Sequence, residues 1–155
     1  MITEDAREFA AALPDGGALI GLDLGTKTIG VATCDPGWSF ATPGKTLPRS
    51  KFTLDKALIA QLVAERRVKG LVIGLPLNMD GSSGPRAQAS RAFARNLAVL
   101  CLPVLLWDER WSTASAERDM IAQDMSRAKR AEKIDSHAAA VILQGAIDRL
   151  AGGMF

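Results

Sequence analysis

The sequence predicts an α/β fold, a mixed five-stranded sheet with an antiparallel three-stranded part and helices on both faces. Three observations point there. The segments LVIGL and PVLLW are continuously apolar, as strands covered on both faces are. They alternate with stretches whose apolar residues recur at helical spacing. Near the start, ALIGLDLG and TIGVATCD flank the short turn GTK, which reads as a hairpin.

Thr3 is expected to cap a short first helix carrying Glu4 and Asp5 in its first turn. Pro14, Asp15, Gly16 and Gly17 stop that helix, so residues 1–17 read as a helical extension and 18–155 as one domain. The hairpin strands follow, and a third strand is expected near Trp38 to Thr42, leading to Pro43 and Pro48. Leu54, Leu58, Leu62 and Val63 then predict a helix up to Arg67. Gly70 introduces the strand LVIGL, which Pro76 ends. Beyond the loop NMDGSSGP come a helix through Ala89, Phe93 and Leu97, the strand PVLLW and the polar turn DERWST, where Thr113 is placed to cap a further helix. A basic, broken segment, SRAKRAEK, precedes a last helix from about Lys133 to Leu150, which ends before Gly152 and Gly153.

Composition narrows the class. A chain of 155 residues, 48% hydrophobic and 23% charged, has the balance of one globular domain. The two cysteines, Cys34 and Cys101, stand far apart without CxxC spacing, which argues against a disulfide scaffold or structural zinc and for a reduced, cytoplasmic protein. TEDAREFAAALP lacks the pattern of a signal peptide. The longest apolar run, AVLCLPVLLW, is too short to span a bilayer and holds Pro103, so no membrane association is expected. A formal net charge of +2 is too weak to announce a nucleic-acid partner by itself.

Three acids are candidates for chemistry. Asp23 interrupts a core strand between Leu22 and Leu24, where a buried carboxylate requires compensation. Two readings are open for it: a functional acid, or a turn cap accepting from the Gly25 to Lys27 backbone. Asp135 precedes Ala138, Ala139 and Ile142 by three, four and seven positions, which places it on the inward helix face rather than among exposed helix-start acids. Glu109 follows a strand at the sheet edge where α/β folds display their working groups, with Asp108 as a competitor; either acid could instead simply pair with Arg110.

Three carboxylates without partner cysteine or histidine suit a hard cation, Mg²⁺ or in its place Mn²⁺. Two such ions on shared carboxylates would activate water and stabilise the leaving oxygen of a phosphodiester. Lys27 beside the turn, with Arg127, Lys129, Arg130 and Lys133 just before Asp135, supplies positive charge for phosphates. The loop GLPLNMDGSSGP, with Asn78, has the glycines and small polar residues to turn tightly and expose amides to an anion, though it reads equally as a plain connection. Trp107 and Trp111 flank Glu109 as either core or base-stacking residues.

Taken in order, GLDLGTKTIGVA, GLPLNMDGS, DERWST and DSHAAAVILQ resemble the YqgF family, also called RuvX, of Holliday junction resolvase-like proteins; only the extension before Ala18 falls outside. The resemblance implies a ribonuclease-H-like fold and a Mg²⁺-dependent nuclease that processes the 5′ end of pre-16S rRNA. It implies an acidic triad matching Asp23, Glu109 and Asp135 as catalytic residues and metal ligands. Lys27, Asn78, Arg110, Arg127, Lys129, Arg130 and Lys133 are the expected nucleic-acid contacts, with structured RNA favoured over branched DNA, ribosomal precursor particles as partners, and a monomer or weak homodimer. Thr28 stands where the family commonly has a second basic residue. RuvC-type resolvases carry a carboxylate on the strand that here reads LVIGL, so Glu109 has to reach in from the next strand. If that strand lies two places from the first, the backbones are about 10 Å apart. The alternatives are a branched-DNA resolvase and a non-catalytic RNA-binding module on the same fold. Asp23, Gly25 and Thr26 also resemble the first hairpin of actin-like ATPases and sugar kinases, but those need a second domain for which this chain has no room.

Overall fold

The computed structural model describes residues 1–111 and 127–152, with side chains over 1–110 and 136–151. Among the described residues there are six strands, β1 Ile2–Thr3, β2 Leu19–Leu24, β3 Thr28–Cys34, β4 Ala41–Pro48, β5 Gly70–Leu75 and β6 Val104–Asp108. The described helices are α1 Ala6–Ala12, α2 Phe52–Arg66, α3 Pro85–Asn96 and α4 Arg127–Gly152, with short 3-10 turns at Leu97–Leu100 and Glu109–Trp111. The strands form one sheet in the order β1-β6-β5-β2-β3-β4. The first four of that order run parallel to one another, and β3 and β4 extend the sheet antiparallel from β2.

The α/β class and the antiparallel three-stranded part match expectation, but the sheet has six strands rather than five. The sixth comes from the extension, where Ile2 and Thr3 pair with Val104 and Leu105. A two-residue strand is too short to leave a periodic signal in the sequence. Thr3 therefore does not cap α1. Asp5 does, accepting from the Arg7 amide at 2.8 Å, while the Thr3 hydroxyl accepts from the Asp5 amide and donates to Glu8. Phe9 of α1 is fully buried, so the extension adds both an edge strand and a core side chain.

Two other boundaries differ. The third strand runs from Ala41 through Pro43 to Pro48, because it is the sheet edge and an edge strand tolerates prolines that have no amide to offer a neighbour. The last helix starts at Arg127 rather than Lys133, since the alanines, lysines, arginines and glutamate of that stretch are favourable helix formers, not a break. The expected cap at Thr113 and the helix after it lie outside the described residues.

The sheet separates two cores. On one face Ile20, Leu22, Leu71, Ile73 and Leu106 pack with Ile59 of α2 and Phe93 of α3. On the other Leu19, Val72, Leu105 and Trp107 pack with Phe9 of α1 and with Ala139, Ile142 and Leu143 of α4. Phe52 and Phe93 meet edge to face with ring centroids 5.3 Å apart, tying α2 to α3. Among the described residues no helix is long and apolar enough to cross a membrane.

Candidate active site

Strand alternation decides which way Asp23 faces. Ile20, Leu22 and Leu24 point to the α2 and α3 core, which sends Leu19, Gly21 and Asp23 to the α4 side. Gly21 shows how tightly α4 lies there: a Cβ on it would come within 2.8 Å of the Leu143 Cβ and 3.1 Å of the Ala139 carbonyl. Asp23, two residues on, is 1% exposed and pairs across the hairpin with Gly30. The Gly25 amide, one candidate donor for a turn cap, donates instead to the Thr28 carbonyl at 2.8 Å and closes the hairpin.

On the other side of β2, the parallel register with β5 runs to Leu22 and Ile73, one residue before Asp23 and Gly74. Gly74 forms part of the site through what it lacks. A Cβ built on it would stand 3.2 Å from both Cδ and Oε2 of Glu109, so the Glu109 carboxylate lies directly over the glycine. β5 does separate β2 from β6, and a carboxylate following β6 starts two strand spacings, about 10 Å, from the first strand. By lying over Gly74, Glu109 brings its carboxylate in from β6 to β5, the strand that separates it from β2. Glycine inside an apolar strand is itself a signal for close approach, and in LVIGL that signal was readable.

Asp108 and Glu109 are adjacent in the chain and diverge in use. Asp108 points to the other side and holds Arg110, which donates from Nη2 at 2.7 Å and from Nε at 3.1 Å, while the Arg110 amide donates to the same carboxylate at 2.9 Å. Burial pushes the Asp108 carboxyl upward, but the hydrogen bonds and charge of Arg110 outweigh it and leave the group below its ordinary value. Asp108 in turn raises the Arg110 guanidinium.

Arg110 also donates to the Met79 carbonyl at 3.2 Å, fastening the loop after β5 to the turn that carries Glu109. That loop does not present its amides to an anion as expected. The Asn78 amide donates to the Ser82 carbonyl, the Gly81 amide to the Asn78 carbonyl and the Ser82 amide to Asp80. The physical reason is Asp80, which takes the Ser82 hydroxyl and amide for its own carboxylate, and they hold that carboxyl below its ordinary value. Asn78 is exposed and donates to the Ser82 hydroxyl, bracing the loop from outside.

Lys27 is exposed at the hairpin tip, and its carbonyl accepts from the Arg49 amide. Asp135, Arg127, Lys129, Arg130 and Lys133 belong to α4, but their side chains lie outside the described residues. Arg49 and Arg86 had no signal in the sequence: their guanidiniums donate to the carbonyls of Gly25 and Leu24, at 2.7 and 3.1 Å, just past Asp23.

The donors fit a hard divalent cation. Two carboxylate side chains lie on the α4 side of the sheet, and the missing side chain of Gly74 gives the Glu109 carboxylate its room over β5. Mg²⁺ is commonly held by one or two carboxylates, with water and substrate phosphates completing its shell. Among the described residues no group of three histidine, cysteine, aspartate or glutamate side chains comes together as a self-sufficient metal site.

Residues 17–149 match the RuvX family, described as "Holliday junction resolvase". A protein of Novosphingobium aromaticivorans named "Putative pre-16S rRNA nuclease" is 69% identical over 155 residues, covering 100% of both chains. One of the same name from Sphingopyxis alaskensis is 69% identical over 150 residues, covering 97% of this chain and 99% of its own. Among solved structures, the RuvC of T. thermophilus in complex with Holliday junction substrate superposes with a TM-score of 0.55 at 13% identity, covering 88% of this chain and 96% of that one, which establishes a shared ribonuclease-H-like fold.

Proposed function

The chain belongs to the RuvX family, and from that premise we propose that it is a Mg²⁺-dependent nuclease that hydrolyses phosphodiester bonds at the 5′ end of pre-16S rRNA. The observation that supports the reading is the Glu109 carboxylate lying over Gly74, next to the strand that carries the buried Asp23. The names of the relatives favour the RNA substrate, since those identical at 69% are described as pre-16S rRNA nucleases.

In this reading Asp23 and Glu109 hold the cation, which supplies Lewis-acid stabilisation and a water of lowered pKa when bound. Asp135 is the third ligand; it sits four and seven residues before Ala139 and Ile142, which pack at Gly21 and Gly74. Asp23 is fixed by its pairing with Gly30 and by its burial, so little reorganisation accompanies binding. Asp108 and Arg110 act as positioning residues: their ion pair shapes the turn that aims Glu109. Exposed Lys27 and the basic residues of α4 draw the phosphate backbone toward the acids, and a cytoplasmic protein acting on ribosomal precursor particles is the setting proposed.

The test is cleavage of a structured RNA and of a branched DNA with Mg²⁺, Mn²⁺ or chelator. Wild type is expected to cut the RNA only with a divalent ion. Asp23→Asn removes several kcal/mol of stabilisation and is expected to cut on the order of 10³-fold more slowly. Equal cleavage by the two proteins would overturn the mechanism, and cutting confined to the branched DNA would reassign the substrate.

A further inference from the structure

On the side of the hairpin away from α4 lies an open cleft of about 190 Å³, lined by Leu24, Gly25, Thr26, Arg49, Pro85 and Arg86. No carboxylate lines it. Its two arginines come from different places, one just past β4 and the other from the first turn of α3, so only the fold brings them together. Arg86 is exposed and Arg49 half-buried.

Each guanidinium carries five N–H donors and gives one to a backbone carbonyl, Arg49 Nη1 to Gly25 and Arg86 Nη2 to Leu24. That single bond orients each group and leaves its other donors for an anion. Thr26 adds an exposed hydroxyl. The amides that open α3 add to the positive potential, because Gly84 at the N-cap has no side chain to satisfy them and Pro85 occupies the first helical position. Planar guanidiniums in pairs are suited to phosphate oxygens, which they meet in a bidentate fork.

The position at the end of β2 points to a phosphate near the cut. Leu24 and Gly25 follow Asp23 by one and two residues, about 3 to 7 Å along an extended strand. A nucleic-acid strand offers a phosphate roughly every 3.4 Å of helix axis. We propose that Arg49 and Arg86 form a subsite for a backbone phosphate of the bound nucleic-acid strand, adjacent to the phosphodiester that is cut. This rests on the nuclease reading of the acidic face and adds to it where the strand is gripped.

The competing role is a purely internal one, in which the arginines only fasten the hairpin. Binding of a structured RNA hairpin is therefore measured in chelator, against salt, for Asp23→Asn as the uncleaving parent and for the same protein with Arg49→Gln or Arg86→Gln. Glutamine keeps an amide donor for the carbonyl and removes the charge. Each change is expected to flatten the slope of log K against log salt by about 0.7 to 0.9 and to weaken binding alike for all sequences. Arg86→Lys is expected to keep the slope.

Wild-type protein with arginine Nε resonances followed by NMR supplies a reading independent of any variant's folding. On adding the RNA in chelator, the Arg49 and Arg86 signals are expected to shift together. An unchanged slope, or arginine signals that stay still while the RNA binds, overturns the subsite and leaves the nuclease reading intact. A response to inorganic phosphate without one to the RNA also overturns it. A parent that binds no nucleic acid overturns both.

Discussion

At one end of the paired strands β2 and β3, Asp23 is 1% exposed, and the Glu109 carboxylate, from the turn after β6, lies over Gly74 of the neighbouring strand. At the other end, one residue past β3, Asp35 is exposed and wholly occupied by its own loop, accepting from the amides of Gly37, Ser39 and Phe40. A cavity of about 730 Å³ lies beside Asp35, four times the volume of the cleft near Asp23. Its size is a poor guide to chemistry. The acid there is spent on loop closure, which holds its carboxyl below the ordinary value, chiefly through the Phe40 amide. The neighbouring thiol of Cys34 is pushed up to about 11 by burial and stays protonated. What distinguishes the Asp23 end is a buried acid with a second carboxylate over the neighbouring strand on the same face, not a large hole.

Strand β5 carries a glycine at each of these ends, which offers the strongest way to break the contrast after the loss expected for Asp23→Asn. A Cβ on Gly70 would meet Phe9 and Leu13 at 2.9 Å, and one on Gly74 would meet Ile142 at 2.7 Å and Glu109 at 3.2 Å. All the close atoms are side-chain tips, so Gly70→Ala and Gly74→Ala are expected to destabilise similarly, by about 1 to 3 kcal/mol in denaturant titration. Only Gly74→Ala is expected to slow cleavage, at least tenfold, because only there does the methyl displace a carboxylate. Equal activity of the two variants would remove Glu109 from the site.

A smaller effect is expected from Asp108→Asn, which weakens the ion pair behind Glu109. Cleavage should fall several-fold while binding in chelator holds. The sign of the pH dependence follows from the lowered carboxyl: its stabilisation is fully present above the unfolded value, about 3.9, and is lost as the pH falls through the still lower folded one. The wild type should therefore lose stability along an acid limb that Asp108→Asn flattens, as thermal melts below pH 5 would show.

The smallest effect belongs to the far end. Asp35→Ala is expected to leave cleavage unchanged and to speed hydrogen exchange at the Gly37, Ser39 and Phe40 amides. The same loosening is expected in wild type as acid protonates Asp35, again in the direction of stability lost with falling pH. A fall in activity with Asp35→Ala would mean that the two ends are coupled.

Much of the fold could be read along the chain. The apolar runs in ALIGLDLG, TIGVATCD and LVIGL and the glycine turn fix strands, hairpin and the place of Asp23, because side-chain direction in a strand follows from sequence spacing alone. The edge strand Ile2–Thr3 escaped because two residues carry no period, and β4 was cut short because its prolines are acceptable only at an edge, a position the chain does not announce.

The choice between Asp108 and Glu109 was not legible either. Both stand in the same polar turn, and only the geometry at the end of β6 sends one to Arg110 and the other over Gly74. Arg49 and Arg86 stand 37 residues apart and converge on two consecutive carbonyls. By itself, then, the sequence determined which elements form and that an acid ends the first core strand. The tertiary structure decided which acid of the later turn lies over the neighbouring strand and which cations gather just past Asp23. Periodicity is a property of residues joined by covalent neighbours, whereas reach across a sheet depends on strand order and register, which are set by packing between residues distant in the chain.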